Sequence, residues 1–549
     1  MTLNAPRRKY KRHDMNVSRI SIIATKPTFP MGSRRDFDLM PSFGPLLIST
    51  ILKNDGYEVK FFDEAIEPLD WDYIFSSDAV GFFVMSIMVR PTMKYCARIK
   101  TNNPQTPIFV GGTHPSELPE DTLRYADYVV RMEGDETVPD LLDALETGRD
   151  LGTVAGLSYR RNGKIIHNPN RPFVKDIDII PEMSLIHGFE DEARRKRRLK
   201  ADKVINLIQA SRGCPFTCAF CYGIRQLGVG YRTRSIDSLI EEIKYRMDFS
   251  NSKRFMFVDN HFSANPKFTR AVLTRMKDEG IHFSWCLVFV RIEIYKHEDI
   301  LQLMKEVGIT DLFIGLESFN DSTLSAFNKQ QSREQMIEAL GVIREYNLHI
   351  TGGFLYGADT DTLETSREIL ETALIYGVDY LSTLSLMEFP NISGTGMVPY
   401  NRMIIRDFDY CSAYFVSHFP KYMRPSVLQR EMLRTLFRFY AQQLWKNVVR
   451  LDLQELFYKV RGYPIARQAI KQWKAHATYL ETIERGFYDV QDHLIEEKLG
   501  EGIFPPDFVR AWTPEFQANV VHRGPAKIPT GQIRVTDGYG EKHAHPTGD

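Results

Sequence analysis

Apolar and polar positions along the chain fall into two successive series, in each of which short apolar runs alternate with stretches of helical spacing. The first series predicts strands at 19–24, 57–62, 80–85, 107–110 and 128–131. It also predicts a helix at 43–54 that ends just before Gly56, and another that follows Glu133-Gly134-Asp135-Glu136 and runs to about 145. A glycine past the last helical residue suits the left-handed cap. The run at 80–85 is continuously apolar, as a strand covered on both faces should be. Strands alternating with helices imply a parallel, doubly wound sheet, whose ligands bind outside the carboxyl ends of the strands. Ser86, Gly111-Gly112 and Glu133-Gly134 fall at those ends, and Ser42 opens the first helix at the same rim.

Residues 156–168 read as a hairpin about Asn162-Gly163, the dipeptide favoured in type I′ turns. A linker follows, with a basic run at Arg194-Arg195-Lys196-Arg197-Arg198 that reads as a solvated face. The second series predicts strands at 203–210, 254–259, 281–290, 311–315, 348–355 and 379–386. Between them Ile236, Leu239, Ile240, Ile243 and Met247 share one helical face, and Ser332 with Gln335 form a capping-box pattern. Six strands with about five helices suit a partial (βα) barrel, with its site at the carboxyl ends of the strands. Residues 400–520 are aromatic-rich and mainly helical in pattern, and 524–549 lack apolar periodicity and are expected to form a disordered tail.

Composition narrows the function classes. The 549 residues carry 70 basic and 70 acidic side chains, a balance that argues against a nucleic-acid binder. The longest nearly unbroken apolar run, at 79–89, is far short of a membrane span. The basic start (Arg7, Arg8, Lys9, Lys11, Arg12) has no apolar segment behind it, so neither a signal peptide nor a membrane span is expected, and the expected location is the cytoplasm. Six cysteines in such a chain are no disulfide framework.

Three of the six lie within eight residues, in Ser211-Arg212-Gly213-Cys214-Pro215-Phe216-Thr217-Cys218-Ala219-Phe220-Cys221-Tyr222. The C-x₃-C-x₂-C spacing follows the first strand of the second series directly, at the catalytic end of the expected barrel. Three thiolates on one loop suit an iron–sulfur cluster; four cysteines are the usual complement, so three leave one iron open to a small chelating ligand. Zinc is the alternative, but structural zinc takes four ligands, commonly as two separated pairs, and Cys96, Cys286 and Cys411 are isolated.

This segment resembles the C-x₃-C-x-aromatic-C signature of the radical S-adenosylmethionine superfamily, with Phe220 as the aromatic. The resemblance implies a partial (βα)₆ barrel and a [4Fe–4S] cluster held by Cys214, Cys218 and Cys221. The open iron would chelate the amino and carboxylate groups of S-adenosylmethionine, and reduction would cleave the sulfonium to a 5′-deoxyadenosyl radical. Further stretches agree in order. Tyr231-Arg232-Thr233-Arg234-Ser235 resembles an R-x-R-S stretch opening the first barrel helix. The family implies that Asp259 and Asn260 at the end of strand two hold the amino group of S-adenosylmethionine. Arg291 ends strand three, and Glu317, in Gly315-Leu316-Glu317-Ser318, lies near the ribose. Gly353, in Gly352-Gly353-Phe354-Leu355-Tyr356-Gly357, belongs to the glycine-rich end of strand five. The stretch Pro390-Asn391-Ile392-Ser393-Gly394-Thr395 departs from the Pro-x-Pro-Gly-Thr-like turn of the family.

The first series resembles the cobalamin-binding domain of the cobalamin-dependent subgroup, carried by 81–86, Gly111-Gly112-Thr113-His114-Pro115 and Glu133-Gly134-Asp135-Glu136. The cobalt-ligating D-x-H-x-x-G motif is absent, and His114 is expected at the cofactor periphery or on the backbone. The alternative is a flavodoxin-like module without a ligand. The reading is therefore an α/β protein: a doubly wound, flavodoxin-like cobalamin-binding domain (15–150), a hairpin and linker (151–200), a radical S-adenosylmethionine barrel (201–390), a mainly helical C-terminal region (391–523) and a tail (524–549). The implied activity is methylation of an unactivated carbon of a small molecule, with electrons from a flavodoxin or ferredoxin. The alternatives are a non-methylating cyclase or oxidase, similar to the anaerobic magnesium-protoporphyrin ester cyclase, and a non-catalytic corrinoid or cluster carrier.

Overall fold

The computed structural model describes residues 18–27, 39–192, 204–387, 408, 411–418, 420–449 and 474. The basic run at 194–198, the stretch at 390–395, most of the aromatic-rich region and the tail from 524 lie outside the described residues. The chain divides into two compact units, one of 1–315 with 337–351 and one of 316–336 with 352–549.

The first unit begins with a sheet built of β1 (Arg19–Ala24), β2 (Glu58–Asp63), β3 (Ala79–Phe83), β4 (Ile108–Gly111), β5 (Tyr128–Val130), β6 (Leu157–Arg161) and β7 (Lys164–His167). Its order is β2-β1-β3-β4-β5-β6-β7. The first five strands are parallel, with Ile20 beside both Val59 and Ala79. Ile20, Ile22 and Ile23 are all buried, so β1 is covered on both faces and reads as a continuous apolar run. The order 2-1-3-4-5 reverses between β1 and β3, and a ligand crevice is expected at that switch point. The expected hairpin is present and extends this sheet: β6 pairs antiparallel with β5 and with β7. Asn162 and Gly163 have φ of 52° and 75°, as a type I′ turn requires.

Helix Phe43–Asn54 crosses the rim, burying Leu46, Leu47, Ile51 and Leu52. Gly56 takes φ 91° and donates its amide to the Lys53 carbonyl. The polar helix Val89–Asn102 was not anticipated from the pattern.

The second sheet has six strands, and its successive members are neighbours in space. It comprises β8 (Asn206–Ile208), β11 (Arg254–Phe257), β12 (Trp285–Val290), β13 (Asp311–Glu317), β14 (His349–Tyr356) and β15 (Tyr380–Ser385). β8, β11, β12 and β13 are parallel, with helices Ile236–Ser250, Pro266–Asp278 and Glu298–Glu306 between them. This is the expected six-stranded βα arrangement. A small ribbon of β9 (Ser211–Arg212) against β10 (Arg232–Thr233) was not expected; it brackets the cysteine loop.

In the second unit, Thr362 and Thr365 form a capping box that starts helix Leu363–Ile375. Helix Pro425–Val449 buries Leu428, Met432 and Phe439, and the hydroxyl of Tyr440 reaches the Leu381 amide at 3.2 Å. These are core contacts of the kind that the aromatic density suggested.

Candidate functional site

The cysteine loop is fastened at both ends. Gly213 has φ 84°, and a Cβ there would meet the Gly230 carbonyl at 2.6 Å, so only glycine fits. The Gly230 amide in turn donates to the Cys214 carbonyl at 3.2 Å. Between these points the loop turns tightly, with the Cys221 amide donating to the Cys218 carbonyl. Cys218 is buried and Cys214 and Cys221 are half-buried, as is Phe220. Burial pushes the Cys214 thiol above its ordinary value, and the neighbouring cysteines push the same way. The Arg291 guanidinium opposes them: it lies 3.8 Å from the Phe216 ring centre, with Nη1 3.5 Å from Cys218 Sγ.

Asp259 lies at the end of β11, fully buried, with both carboxylate oxygens engaged by the strand that feeds the loop. It accepts from the Ala210 amide at 3.0 Å and from the Ser211 hydroxyl. Burial raises its pKa to about 6 against these hydrogen bonds. Asn260 covers Gly223, where a Cβ would meet its Nδ2 at 2.5 Å and Cys221 Sγ at 3.5 Å. The three cysteines, Arg291, Asp259 and Asn260 thus cluster at one end of the sheet.

In the second unit, Glu317 ends β13 with φ 64°, a left-handed backbone that costs about 1–3 kcal/mol for a non-glycine residue. Its carboxylate takes the buried Lys329 ammonium at 2.8 Å. Gly353 is buried within β14.

At the carboxyl rim of the first sheet lies a largely apolar cavity of about 300 Å³. Phe43, Gly44 and Ile48 of the rim helix line it, with Gly111, Gly112, Glu133 and Gly134 from the strand ends. A Cβ on Gly44 would meet nothing within 4 Å. Gln209 and Arg212, from the segment that leads into the cysteine loop, line the same cavity. Glycine at 112 serves the chain's own packing: φ is 117°, and a Cβ would meet the Val84 carbonyl at 2.6 Å.

Ser42, Ser86 and His114 are not among the lining residues. Ser42 donates its hydroxyl to Asp63 at 2.8 Å. Ser86 Oγ is 3.0 Å from Nδ1 of His114, a fully buried ring whose pKa burial lowers to about 3, so it is neutral. Glu133 lines the cavity, but its carboxylate is committed to protein partners. Arg212 Nη1 donates to it at 3.1 Å, Arg232 Nη1 to both oxygens at 2.9 Å, and the Val174 amide at 2.8 Å. Arg212 Nη2 donates to Asp135 at 2.9 Å. Sequence reasoning missed this network, because nothing local links residues so far apart. The available signal was an arginine immediately before the cysteine loop and two carboxylates at a strand end.

The donor set fits an iron–sulfur cube with three protein thiolates. Thiolates of a cube bind different irons and need not converge on one point. Zinc needs its ligands around a single ion, and among the described residues no three Cys, His, Asp or Glu side chains are so placed. The apolar, glycine-walled cavity at a switch point fits part of a large planar cofactor. Among the described residues no helix is long and apolar enough to cross a membrane.

Comparison with known proteins agrees with both fits. Residues 208–373 match the radical SAM superfamily and residues 38–142 the B12 binding domain. An uncharacterised methyltransferase of Pyrococcus horikoshii is 29% identical over 64% of this chain and 76% of its own. An anaerobic magnesium-protoporphyrin IX monomethyl ester cyclase of Synechocystis is 24% identical over 77% of this chain and 87% of its own. The bacteriochlorophyllide d C-8(2)-methyltransferase of Chlorobaculum tepidum is 29% identical over 55% of this chain and 63% of its own. The solved structure of the cobalamin-dependent S-adenosylmethionine radical enzyme OxsB with aqua-cobalamin bound shares the fold, with a TM-score of 0.64, 14% identity, and coverage of 90% of this chain and 84% of that one. With a B12 binding domain ahead of a radical S-adenosylmethionine domain, the chain belongs to the cobalamin-dependent radical S-adenosylmethionine enzymes, whose cofactors are a [4Fe–4S] cluster, S-adenosylmethionine and cobalamin.

Proposed function

We propose that this enzyme methylates an unactivated carbon of a small-molecule substrate. The observation that carries the reading is the shared wall of the rim cavity: the segment that leads into the cysteine loop contributes Gln209 and Arg212 to the cavity at the carboxyl rim of the first sheet. A methyl donor and a radical initiator both have to reach one substrate, and this arrangement brings their sites together. When bound, the cluster with S-adenosylmethionine supplies hydrogen abstraction, and cobalamin supplies the methyl group.

The chain's residues hold and shield these groups. Cys214, Cys218 and Cys221 would hold three irons of the cluster, with half-buried Phe220 next to Cys221 in the loop. Asp259 and Asn260 fix the loop against the strand-two end, where Asn260 can also meet the amino group of S-adenosylmethionine. Arg291 supplies positive charge to the thiolates. By resemblance to the family, Glu317 and Gly353 are assigned to the nucleoside. Gly111, Gly112, Glu133 and Gly134 border the corrinoid, while Ser42, Ser86 and His114 support that rim from behind. The net reaction consumes two S-adenosylmethionine and two electrons, and releases 5′-deoxyadenosine, methionine and S-adenosylhomocysteine as a C–H bond becomes C–CH₃. The electrons come from a flavodoxin- or ferredoxin-type donor, and the setting is the cytoplasm.

A second reading, oxidative cyclisation without methyl transfer, is favoured by one observation: the Synechocystis cyclase aligns over 445 residues, more than the methyltransferase relatives do. Anaerobic reconstitution with iron, sulfide and hydroxocobalamin, followed by reduction in methyl-labelled S-adenosylmethionine, separates the two. Methyl transfer predicts bound corrinoid that acquires the label, with release of S-adenosylhomocysteine. Bound cluster and 5′-deoxyadenosine without S-adenosylhomocysteine overturns methylation in favour of cyclisation.

A further inference from the structure

Four charged side chains meet in the first unit: Glu133 and Asp135 after β5, Arg212 in β9 and Arg232 in β10. The Arg212, Glu133 and Asp135 side chains are each less than a tenth exposed. Arg212 spends its whole fork here, with Nη1 on Glu133, Nη2 on Asp135 and Nε on Gln209 at 2.9 Å. Arg232 adds the Val174 and Leu227 carbonyls to its two bonds with Glu133. A buried carboxylate between two guanidiniums is stiff, because moving any member strands a charge away from water. Two further features say that the stiffness is aimed. Met132, just before Glu133, holds a left-handed φ of 64°, its amide tied to Ser116 Oγ at 2.9 Å. Arg212 is separated from Cys214 by Gly213 alone, where the Gly230 carbonyl leaves no room for a side chain, and the Gly230 amide holds the Cys214 carbonyl at 3.2 Å. Glu133, Asp135 and Arg212 also line the rim cavity.

From this geometry we infer that Arg212 and Glu133 are positioning residues that set the separation between the corrinoid and the cluster. The inference rests on the two-cofactor reading above. The planar fork and the carboxylate act as a fixed-length strut: one end belongs to the cavity wall, the other to the backbone that carries the first cluster thiolate. Lysine keeps the charge at 212 but cannot bridge two carboxylates. Glutamine at 133 keeps the shape and one acceptor but loses the charge.

The test uses the full chain, reconstituted anaerobically with iron, sulfide and hydroxocobalamin, as wild type, Arg212→Lys and Glu133→Gln. Cofactor content is measured first. The cob(II)alamin electron-spin resonance is then recorded with the cluster oxidised and reduced, and its magnetic coupling to the reduced cluster reports their separation. Both variants are expected to retain iron and cobalt while the coupling changes. The ratio of 5′-deoxyadenosine to S-adenosylhomocysteine should rise about tenfold or more, since ångström-scale misplacement costs up to about 10²-fold in rate. Unchanged coupling with both cofactors bound overturns the inference. Loss of either cofactor from the variants overturns it too, and leaves the network a folding or binding element. Failure of the wild type to bind both cofactors overturns instead the two-cofactor reading.

Discussion

Arg291 Nη1 stands 3.5 Å from Cys218 Sγ, while Cζ of the same guanidinium lies 3.8 Å from the centre of the Phe216 ring. A donor is thus supplied to the loop from the end of β12, by a guanidinium whose other edge pairs with Glu293 at 3.0 Å. A donor to a cluster thiolate raises the reduction potential, and loss of such outer partners costs about 10–100-fold in affinity or activity. Arg291→Met should lower the midpoint of the cluster in a spin-resonance redox titration and slow cleavage of S-adenosylmethionine by about that factor. In the cluster-free protein the Cys214 thiol should titrate higher still, because the arginine no longer opposes burial.

The pair Arg234 and Arg246 is joined by Glu242, all three buried in the first barrel helix and the turn before it. Arg246 Nε donates at 2.5 Å, and Arg234 closes on the other oxygen. Glu242→Ala removes the carboxylate that these two desolvated guanidiniums share. It should cost about 3–5 kcal/mol, read as a lower denaturant midpoint. A replacement of all three by apolar residues of similar volume should recover most of that loss.

Gly112→Ala puts a methyl group 2.6 Å from the Val84 carbonyl in a backbone of φ 117°. The β3 and β4 ends must separate or the turn must refold. A loss of about 1–3 kcal/mol is expected from the backbone alone, together with weaker retention of corrinoid on gel filtration. An equal melting temperature and cobalt content would contradict this account.

Asp361, after β14, accepts from the Gly357 amide at 2.7 Å and the Ala358 amide at 3.1 Å. Burial, reinforced by Asp359, raises its pKa from 3.8 to about 7. A carboxyl whose folded pKa lies above its unfolded one stabilises the fold in its protonated form. That contribution is fully present below about 3.8 and is lost as pH rises through about 7. Asparagine mimics the neutral acid at every pH. The stability of wild type minus that of Asp361→Asn should therefore fall between pH 5 and pH 8, as followed by thermal melting.

Much of this architecture was legible in the sequence, for physical reasons. The strand Arg19–Ala24 and the helix Phe43–Asn54 match their expected bounds, because a doubly covered strand is a pure apolar run and a left-handed glycine marks the helix end. The hairpin followed from Asn162-Gly163, and the cluster loop from three cysteines. The two-residue strands β9 and β10 carry no periodicity at all, and helix Val89–Asn102 is too polar to announce itself. Charge pairing was the least legible. Glu133, expected at the cofactor rim, lines the cavity and also holds Arg212 and Arg232. His114, expected at the cofactor periphery or on the backbone, is found on the Ser86 hydroxyl and does not line the cavity. Such partners are chosen by the folded surface, and single-chain patterns do not record them.

The ion network also orders events during synthesis. Glu133 leaves the ribosome 79 residues before Arg212 and 99 before Arg232. At 5–20 residues per second this is a wait of several seconds. During it the first domain can fold while its two acidic groups are still hydrated and the rim cavity lacks one wall. The rim cavity gains its last wall only as Gln209 and Arg212 arrive with the segment that leads into the cysteine loop, so the order of the domains along the chain makes a closed cavity a late product of synthesis.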